Sequence, residues 1–300
     1  SSSFTTSLTV GLVASGALTL SGAIPIILGA NIGTTITNTI VSITHIRERS
    51  EFRKAFGAAI VHDIHNVIAV IIFFPLEIKF HLLEKASLLM TSFIFNFGST
   101  SETITQSSFT SPLGYIINPP VNILKTVLDG QAFVLAIISL VFLFFSLSSF
   151  VRILKPLAET EFKEIIHNSI FKSARRSFVF GILLTAFVQS SSITTSLVVP
   201  FAGLGILNIE AIYPYVLGAN IGTTLTALLV AFTLGSYAAV TIAMVHFLFN
   251  VLNSVLIYPF RFIPIGISKK IGETALKSRT IPIFYVFVIF FVAPFLIIFF

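Results

Sequence analysis

"QSSSITTS" runs from Gln189 to Ser196, a hydroxyl cluster set between long apolar stretches. The chain opens with nearly the same string, "SSSFTTSL", Ser1 to Leu8. Laid over residues 190–226 at an offset of 189, residues 1–37 match without a gap, and 20 of the 37 pairs are identical. The shared positions include the serines, Pro25 with Pro214, and "GANIGTT" at Gly29–Thr35 and Gly218–Thr224. Shared hydrophobicity does not match that many polar positions. The correspondence resumes at an offset of 184, where His62, Asn66 and Pro75 fall on His246, Asn250 and Pro259. The slip of five lies in a charged loop, where insertions cost little. A strong internal repeat in an apolar chain points to a transporter fold.

Composition agrees. Hydrophobic residues make up 55% of the 300 and charged residues only 10%. Soluble domains carry about 25% charged residues. With a mean hydropathy of +0.99, the chain reads as an integral membrane protein. The long apolar runs lack the alternation of a membrane barrel, so the spans are helices. The absence of cysteine excludes disulfides and thiolate metal sites. The chain begins at Ser1, with neither Met nor signal peptide, and reads as a fragment.

Charge placement gives a topology. Fifteen of the 18 Lys and Arg residues fall in three clusters, within 45–54, 152–176 and 261–279, and none lies in 86–124. The positive-inside rule puts the clusters in the cytoplasm and 86–124 outside. The net +6 is thus a topology signal and not a nucleic-acid patch. Spans near 55–75 and 126–150 then lead out and back. Residues 177–207 must return to their own side, as a re-entrant helical hairpin bending near QSSS. Spans at 214–232 and 237–258 close the path, and 281–300 leads out. The loop after the first GANIGTT is basic and inside, whereas its counterpart, Thr233–Ser236, is uncharged and outside. The two repeats therefore run in opposite senses.

The expected architecture is an all-α polytopic membrane protein. It has two inverted-topology repeats, each with a re-entrant hairpin and an interrupted transmembrane helix. Repeat 1 covers 1–79 and repeat 2 covers 177–260. Between them lie an interfacial segment with an external loop (80–125), a linking transmembrane helix (126–151) and a cytoplasmic amphipathic segment (152–176). A second such segment (261–280) and a C-terminal transmembrane helix (281–300) follow.

A hairpin tip inside a membrane exposes backbone groups, tolerated only where protein or a cavity surrounds them. Helix N-termini there favour anions. Hydroxyl, amide and carbonyl oxygens favour small hard cations. Ser1, Ser2, Ser3, Gln189, Ser190, Ser191 and Ser192, with Asn31 and Asn220, are therefore candidates for binding an oxyanion. Thr5, Thr6, Thr34, Thr35, Thr194, Thr195, Thr223 and Thr224 are candidates for a cation. Hydroxyls and glycines in membrane helices also serve plain packing, but the doubling of both motifs favours a site. Gly29–Thr35 and Gly218–Thr224 read as unwound points. No Lys or Arg lies in either motif, so an anion there needs co-bound cations or dipoles for balance.

Asp63, in "VHDIHN", lies within a span, where an ionisable group is a functional candidate. It reads as a cation ligand, or else as the partner of Arg53 or Lys54 in a salt bridge near the cytoplasmic end. Its counterpart in the other repeat is Phe247. His62 and His65 have a spacing that binds metals, but the pattern is short and common, and no transition metal is expected. The recurrence of His62 as His246 suggests a repeated structural hydrogen bond, and Asn66 and Asn250 read as structural pairs. No enzymatic motif appears.

These strings resemble the type II sodium-phosphate cotransporter family. They are "QSSSITTSLVVP", "YPYVLGANIGTTLTALL", "AIPIILGANIGTTITNTIVS" and "EFRKAFGAAIVHDIHNVIAVIIFFPLE". They fall in both repeats, which together make up about half the chain. The resemblance implies uptake of inorganic phosphate driven by sodium, with no other cofactor. It implies that the QSSS regions line the shared substrate and sodium path. It also implies electrogenic transport of divalent phosphate, because family members with Asp at the position of Asp63 are electrogenic and those with Gly are electroneutral. The family pattern has a Gln before Ser1 and a first hairpin arm upstream of it, neither of which this chain contains. The short external loop is similar to that of bacterial members. The expected partners are phosphate, sodium and the lipid bilayer of a cell membrane, an inner membrane if bacterial. Oligomeric state is left open, a dimer included. Rivals are a carrier of another small anion and a non-transporting receptor or scaffold of the same fold.

Overall fold

The computed structural model describes residues 2–97, 162–276, 278 and 280–292, with scattered positions between 119 and 153. Ser1, the loop 98–118 and most of the expected span 126–150 lie outside the described residues. Among the described residues every regular element is helical. The first half holds α1 (Ser2–Ala14), α2 (Leu20–Gly33), α3 (Ile36–Ser42), α4 (Arg49–Phe80) and α5 (Leu82–Phe97). The second holds α6 (Phe162–Ser169), α7 (Ala174–Val188), α8 (Ser191–Gly203), α9 (Ile209–Leu234), α10 (Tyr237–Ile257), α11 (Phe262–Thr274) and α12 (Thr280–Phe287).

Among the described residues four segments are long and apolar enough to cross a membrane: Leu20–His45, Arg49–Phe80, Ile209–Leu234 and Tyr237–Phe260. A crossing needs about 20 residues. By contrast α1, α7 and α8 have 13, 15 and 13 residues. Local chemistry sets the starts. Ser173, Ser190, Asn208 and Ser236 each cap a helix through a side-chain oxygen that accepts an N–H two or three residues on.

The tight junction between α7 and α8 comes from two residues of QSSS. Gln189 takes a left-handed conformation (φ 58°) and ends α7, and its N–H bonds the Thr185 carbonyl at 2.7 Å. Ser190 is extended and starts α8, its hydroxyl accepting from the Ile193 N–H. The result is a helical hairpin with its bend at the hydroxyl cluster.

The two GANIGTT segments differ. In the first, α2 stops at Gly33 and α3 begins at Ile36. The hydroxyls of Thr34 and Thr35 bond back to the Ala30 and Ile32 carbonyls, at 2.9 and 2.8 Å. Such back-bonding competes with the helix ladder. In the second, α9 runs through Gly218–Thr224 without a break, so the expected unwound point is absent there. The glycines explain why. A Cβ on Gly218 would lie 2.0 Å from the Phe178 carbonyl oxygen, one on Gly222 2.5 Å from that of Ile182, and one on Gly181 2.2 Å from that of Tyr215. These glycines let α7 and α9 touch backbone to backbone, the small-residue packing of membrane helices. Gly29 and Gly33 meet no described atom within 4 Å.

Two apolar clusters enclose a polar layer. One gathers Val10, Ile24, Ile27, Ala69, Phe73, Ala227, Val240 and Phe249. The other gathers Ala58, Val61, Val198, Ile206, Ile212, Tyr213 and Leu217. On α4 the residues between these clusters are His62, Asp63, His65 and Asn66, and on α9 they are Asn220, Thr223 and Thr224, all buried. α4 is about 48 Å long at 1.5 Å per residue, and its polar residues fall near its middle.

Gly218→Ala is expected to destabilise by about 1–3 kcal/mol or more, the cost of overpacking. Gly29→Ala, the matched change, is expected to be neutral or slightly stabilising through helix propensity. Thermal unfolding of the detergent-solubilised chain compares them. Equal losses would refute the packing role assigned to Gly218.

Candidate anion and cation site

The two hydroxyl clusters meet. Thr223 donates to Ser3 at 2.8 Å if Ser3 in turn donates to the Gln189 carbonyl at 3.3 Å. Ser3 belongs to the first cluster, Gln189 to the second, and Thr223 to the second GANIGTT. The first turns of α1 and α8 are thereby brought together. At a helix start the first N–H groups have no partner within the helix, and such an end carries about half a positive charge. Ser2, Ser3 and Ser191 are buried, and Gln189, Ser190 and Ser192 half-buried. This arrangement suits an oxyanion.

Each cluster helix also crosses to the other repeat. α1 packs on α9, and α8 packs on α3 and α4. On the α8 side Thr195 donates to the Asn38 side-chain oxygen at 3.0 Å, with the Ser191 carbonyl at 2.7 Å. Thr185 and Thr194 meet hydroxyl to hydroxyl at 2.7 Å across the hairpin. Thr6, the repeat partner of Thr195, is fully buried and its hydroxyl has no partner. The position matching Asn38 is Ala227, so no amide awaits Thr6 there. Thr5 is half-buried. Thr224, like Thr34, bonds a carbonyl of its own helix.

A chain of buried amides and one histidine runs on from Asn38. Its amide donates to His62 Nδ1 at 3.3 Å, and His62 Nε2–H donates to Asn220 at 2.7 Å. These partners place the hydrogen on Nε2. Asn220 donates to Asn66 at 3.1 Å, and Asn66 donates to the Asn31 main-chain carbonyl at 2.7 Å. The Asn31 amide itself bonds the Ile27 carbonyl. The Asn220 side chain and the Asn31 main-chain carbonyl therefore hold helices together, while the Asn31 amide stays within α2. His65 bonds Tyr213 and Asn253, at 2.8 and 3.0 Å. With both nitrogens of His62 and of His65 committed, neither is free to bind a metal. His246 is different from His62: both of its nitrogens are buried without a partner. The expected repetition of a structural hydrogen bond is not found, because Asn38 and Asn220 face His62 alone.

Asp63 is fully buried and makes no ion pair with any described Lys or Arg. The alternative of a salt bridge to Arg53 or Lys54 fails, since both of those residues are exposed. Its Oδ2 accepts from Thr39 and from Tyr285, each at 3.2 Å. Its Oδ1 is buried with no partner. The Thr35 hydroxyl also faces the carboxylate. That hydroxyl also lies 2.8 Å from the Ile32 carbonyl. A buried carboxylate ringed by hydroxyl oxygens offers the oxygen ligands that a hard cation takes. Asn38 and Thr39 are neighbours on α3, so one turn of helix joins the hairpin to the carboxylate.

Sequence reading missed Asn38, Thr39, Thr185 and Tyr285. The first two stand in "TNT" (Thr37–Thr39), directly after GANIGTT, and their polarity was the available signal. A cavity of about 540 Å³, lined by Arg53, Lys54, Asn208, Glu210 and Lys269 among others, opens elsewhere. Glu77, His81 and Glu84 bring donor atoms within 4.8 Å of one another. Glu77 spends both oxygens on the N–H groups of Leu83 and Glu84, which makes it the cap of α5.

Thr195→Val is expected to cost about 1 kcal/mol or more, because it strands the Asn38 oxygen. Thr6→Val removes an unpaired buried hydroxyl and is expected to be neutral or stabilising. Melting temperatures in sodium-free detergent test the contrast, and a larger loss at Thr6 would contradict it.

A family profile described as Na+/Pi-cotransporter matches residues 1–108 and 141–266. The human protein named sodium-dependent phosphate transport protein 2B is 30% identical, across 98% of this chain and 56% of its own length. The rat protein named sodium-dependent phosphate transport protein 2A is 31% identical, across 99% of this chain and 58% of its own length. The chain thus spans somewhat over half the length of these relatives. No solved structure matches it significantly. On the extent of the profile match, the chain belongs to the Na+/Pi-cotransporter family.

Proposed function

We propose that this chain forms the transporting core of a sodium-coupled importer of inorganic phosphate. The observation that carries the reading is the junction of Ser3, Gln189 and Thr223, which sets two helix starts and two hydroxyl clusters face to face. Phosphate binds there, to N–H and O–H donors of Ser1, Ser2, Ser3 and Gln189–Ser192. Sodium supplies the balancing charge. Asp63 with Thr35 forms one cation position. The unpartnered hydroxyl of Thr6, with those of Thr5, Thr34, Thr194, Thr195, Thr223 and Thr224, supplies oxygens for others. Asn31 and Asn220 hold the site's walls. The names of the human and rat relatives agree with this substrate and this ion.

The coupling route is α3. Asn38 bonds the hairpin helix α8, and Thr39 bonds Asp63. A cation that draws on Asp63 is thus felt one residue away from the group that seats the anion-binding turn. Loss of the anion in turn frees that turn to shift. The core alternates its exposure across a cell membrane, as two inverted repeats with α7–α8 as a re-entrant hairpin. The shortness of α7 and α8 supports that placement, as does the polar layer between two apolar clusters. The basic stretches 45–54, 152–176 and 261–279 face the cytoplasm by the positive-inside rule. Asp63 adds one negative charge to the core, which takes up one further cation per cycle. Transport of divalent phosphate is then electrogenic.

Uptake of radiolabelled phosphate into proteoliposomes, under an inward sodium gradient and against a choline control, tests the reading. Sodium-dependent uptake is expected, with sulfate and small carboxylates competing poorly. Strong competition would identify a carrier of another anion, and folded protein that neither binds nor moves phosphate would leave a receptor or scaffold. The double variant Ser190→Ala, Ser191→Ala is expected to weaken phosphate affinity at least tenfold, roughly the value of one or two lost hydrogen bonds to a charged group. Asp63→Gly is expected to lower the charge moved per phosphate. Undiminished current per phosphate would remove Asp63 from that role.

A further inference from the structure

Tyr285 lies on α12, beyond residue 266 where the family match ends. Its hydroxyl nevertheless reaches across the molecule to Asp63 Oδ2 at 3.2 Å, a separation of 222 residues. The ring is buried in a small apolar cluster with Phe52, Phe56, Ile60 and Ile64. It meets Phe56 edge to face, with ring centroids 5.9 Å apart. This packing aims the hydroxyl. Tyr285 and Thr39 together occupy Oδ2, while Oδ1 is buried and bonds nothing. A carboxylate held by one oxygen cannot rotate freely, so the other keeps a fixed direction.

We propose that Tyr285 is a positioning residue for the cation site at Asp63, pinning Oδ2 so that Oδ1 stays aimed at the ion. The C-terminal helix then takes part in ion binding, although it belongs to neither repeat. The inference rests on the cation position assigned to Asp63 above. It explains how Asp63 is oriented with no counterpart in the second repeat, where Phe247 stands at the matching position. An unshared site needs an unshared support, and α12 supplies it.

Sodium-dependent stabilisation tests this without requiring transport, because an ion at free concentration c that binds the folded state stabilises it by RT ln(1 + c/Kd), and the fitted Kd serves as the sodium midpoint. Melting temperature is measured against sodium chloride, with choline chloride keeping ionic strength constant. The proteins are the unsubstituted chain, Tyr285→Phe, Asp63→Asn and the double variant. Tyr285→Phe keeps the ring and its contacts, so it is expected to melt in choline close to the unsubstituted chain. Its sodium midpoint is expected to rise about tenfold, the effect of one hydrogen bond to a charged group. Asp63→Asn is expected to remove this sodium response, and Tyr285→Phe to add nothing in that background. An unchanged midpoint in Tyr285→Phe would overturn the proposal. So would a shift that persists without Asp63, or an unsubstituted chain with no sodium response. A normal sodium response in a chain that moves no phosphate would sink the carrier reading and leave the role of Tyr285 standing.

Discussion

Everything in this molecule depends on satisfying polar groups where water is scarce. The centre of α4 and the centre of α9 carry histidines, amides, hydroxyls and one carboxylate, all buried. An amide or hydroxyl buried without a partner costs about 1–3 kcal/mol. The structure meets most of that cost with one connected chain of bonds, Ser191 to Thr195, Asn38, His62, Asn220, Asn66 and Asn31. It ties α8, α3, α4, α9 and α2 into one unit. The few atoms left out, Asp63 Oδ1 and the Thr6 hydroxyl among them, are then conspicuous. An orphan oxygen in such a layer is open to a ligand that is not protein, which is the reading proposed above for Asp63 and Thr6.

The hairpin α7–α8 is the second consequence. Its bend lies next to the polar layer because Gln189 and Ser190 turn the chain in two residues. Its first arm is held by backbone contact with α9 at Gly181, Gly218 and Gly222. A helix start is thus fixed at the edge of the buried layer, where its dipole is partly shielded from solvent. The hairpin's bend and the cluster on α1 then share Ser3 as their common member.

Two repeats with 20 identities in 37 positions have not produced two copies of one site. GANIGTT is broken in one and continuous in the other. Thr195 has Asn38, while Thr6 faces the half where Ala227 replaces that amide. His62 is bonded at both nitrogens, while His246 is bonded at neither. Asp63 answers to Phe247. In the first three cases the motif residue is the same and its surroundings differ, while at Asp63 the residue itself differs. A symmetric frame with an asymmetric lining offers unlike chemistry on its two sides, as the proposed coupling of an anion to a cation requires.

The class of the chain was legible in its residues. Apolar run length and charge scarcity dictate membrane helices, because no other chemistry tolerates that composition. The doubled SSS and GANIGTT strings marked where the polar groups would gather, since hydroxyls repeated in an apolar setting have few structural reasons to recur. Asp63 stood out for the same reason. What the sequence did not carry was pairing. That Thr195 meets Asn38, that the Gly218 face is for packing and the Gly29 face is open, and that Tyr285 reaches Asp63 across 222 residues are facts about which surfaces touch. Periodicity and composition describe each helix alone. Contacts between helices depend on how the whole chain closes, so only the tertiary structure decided which oxygens are bonded and which are left without a partner.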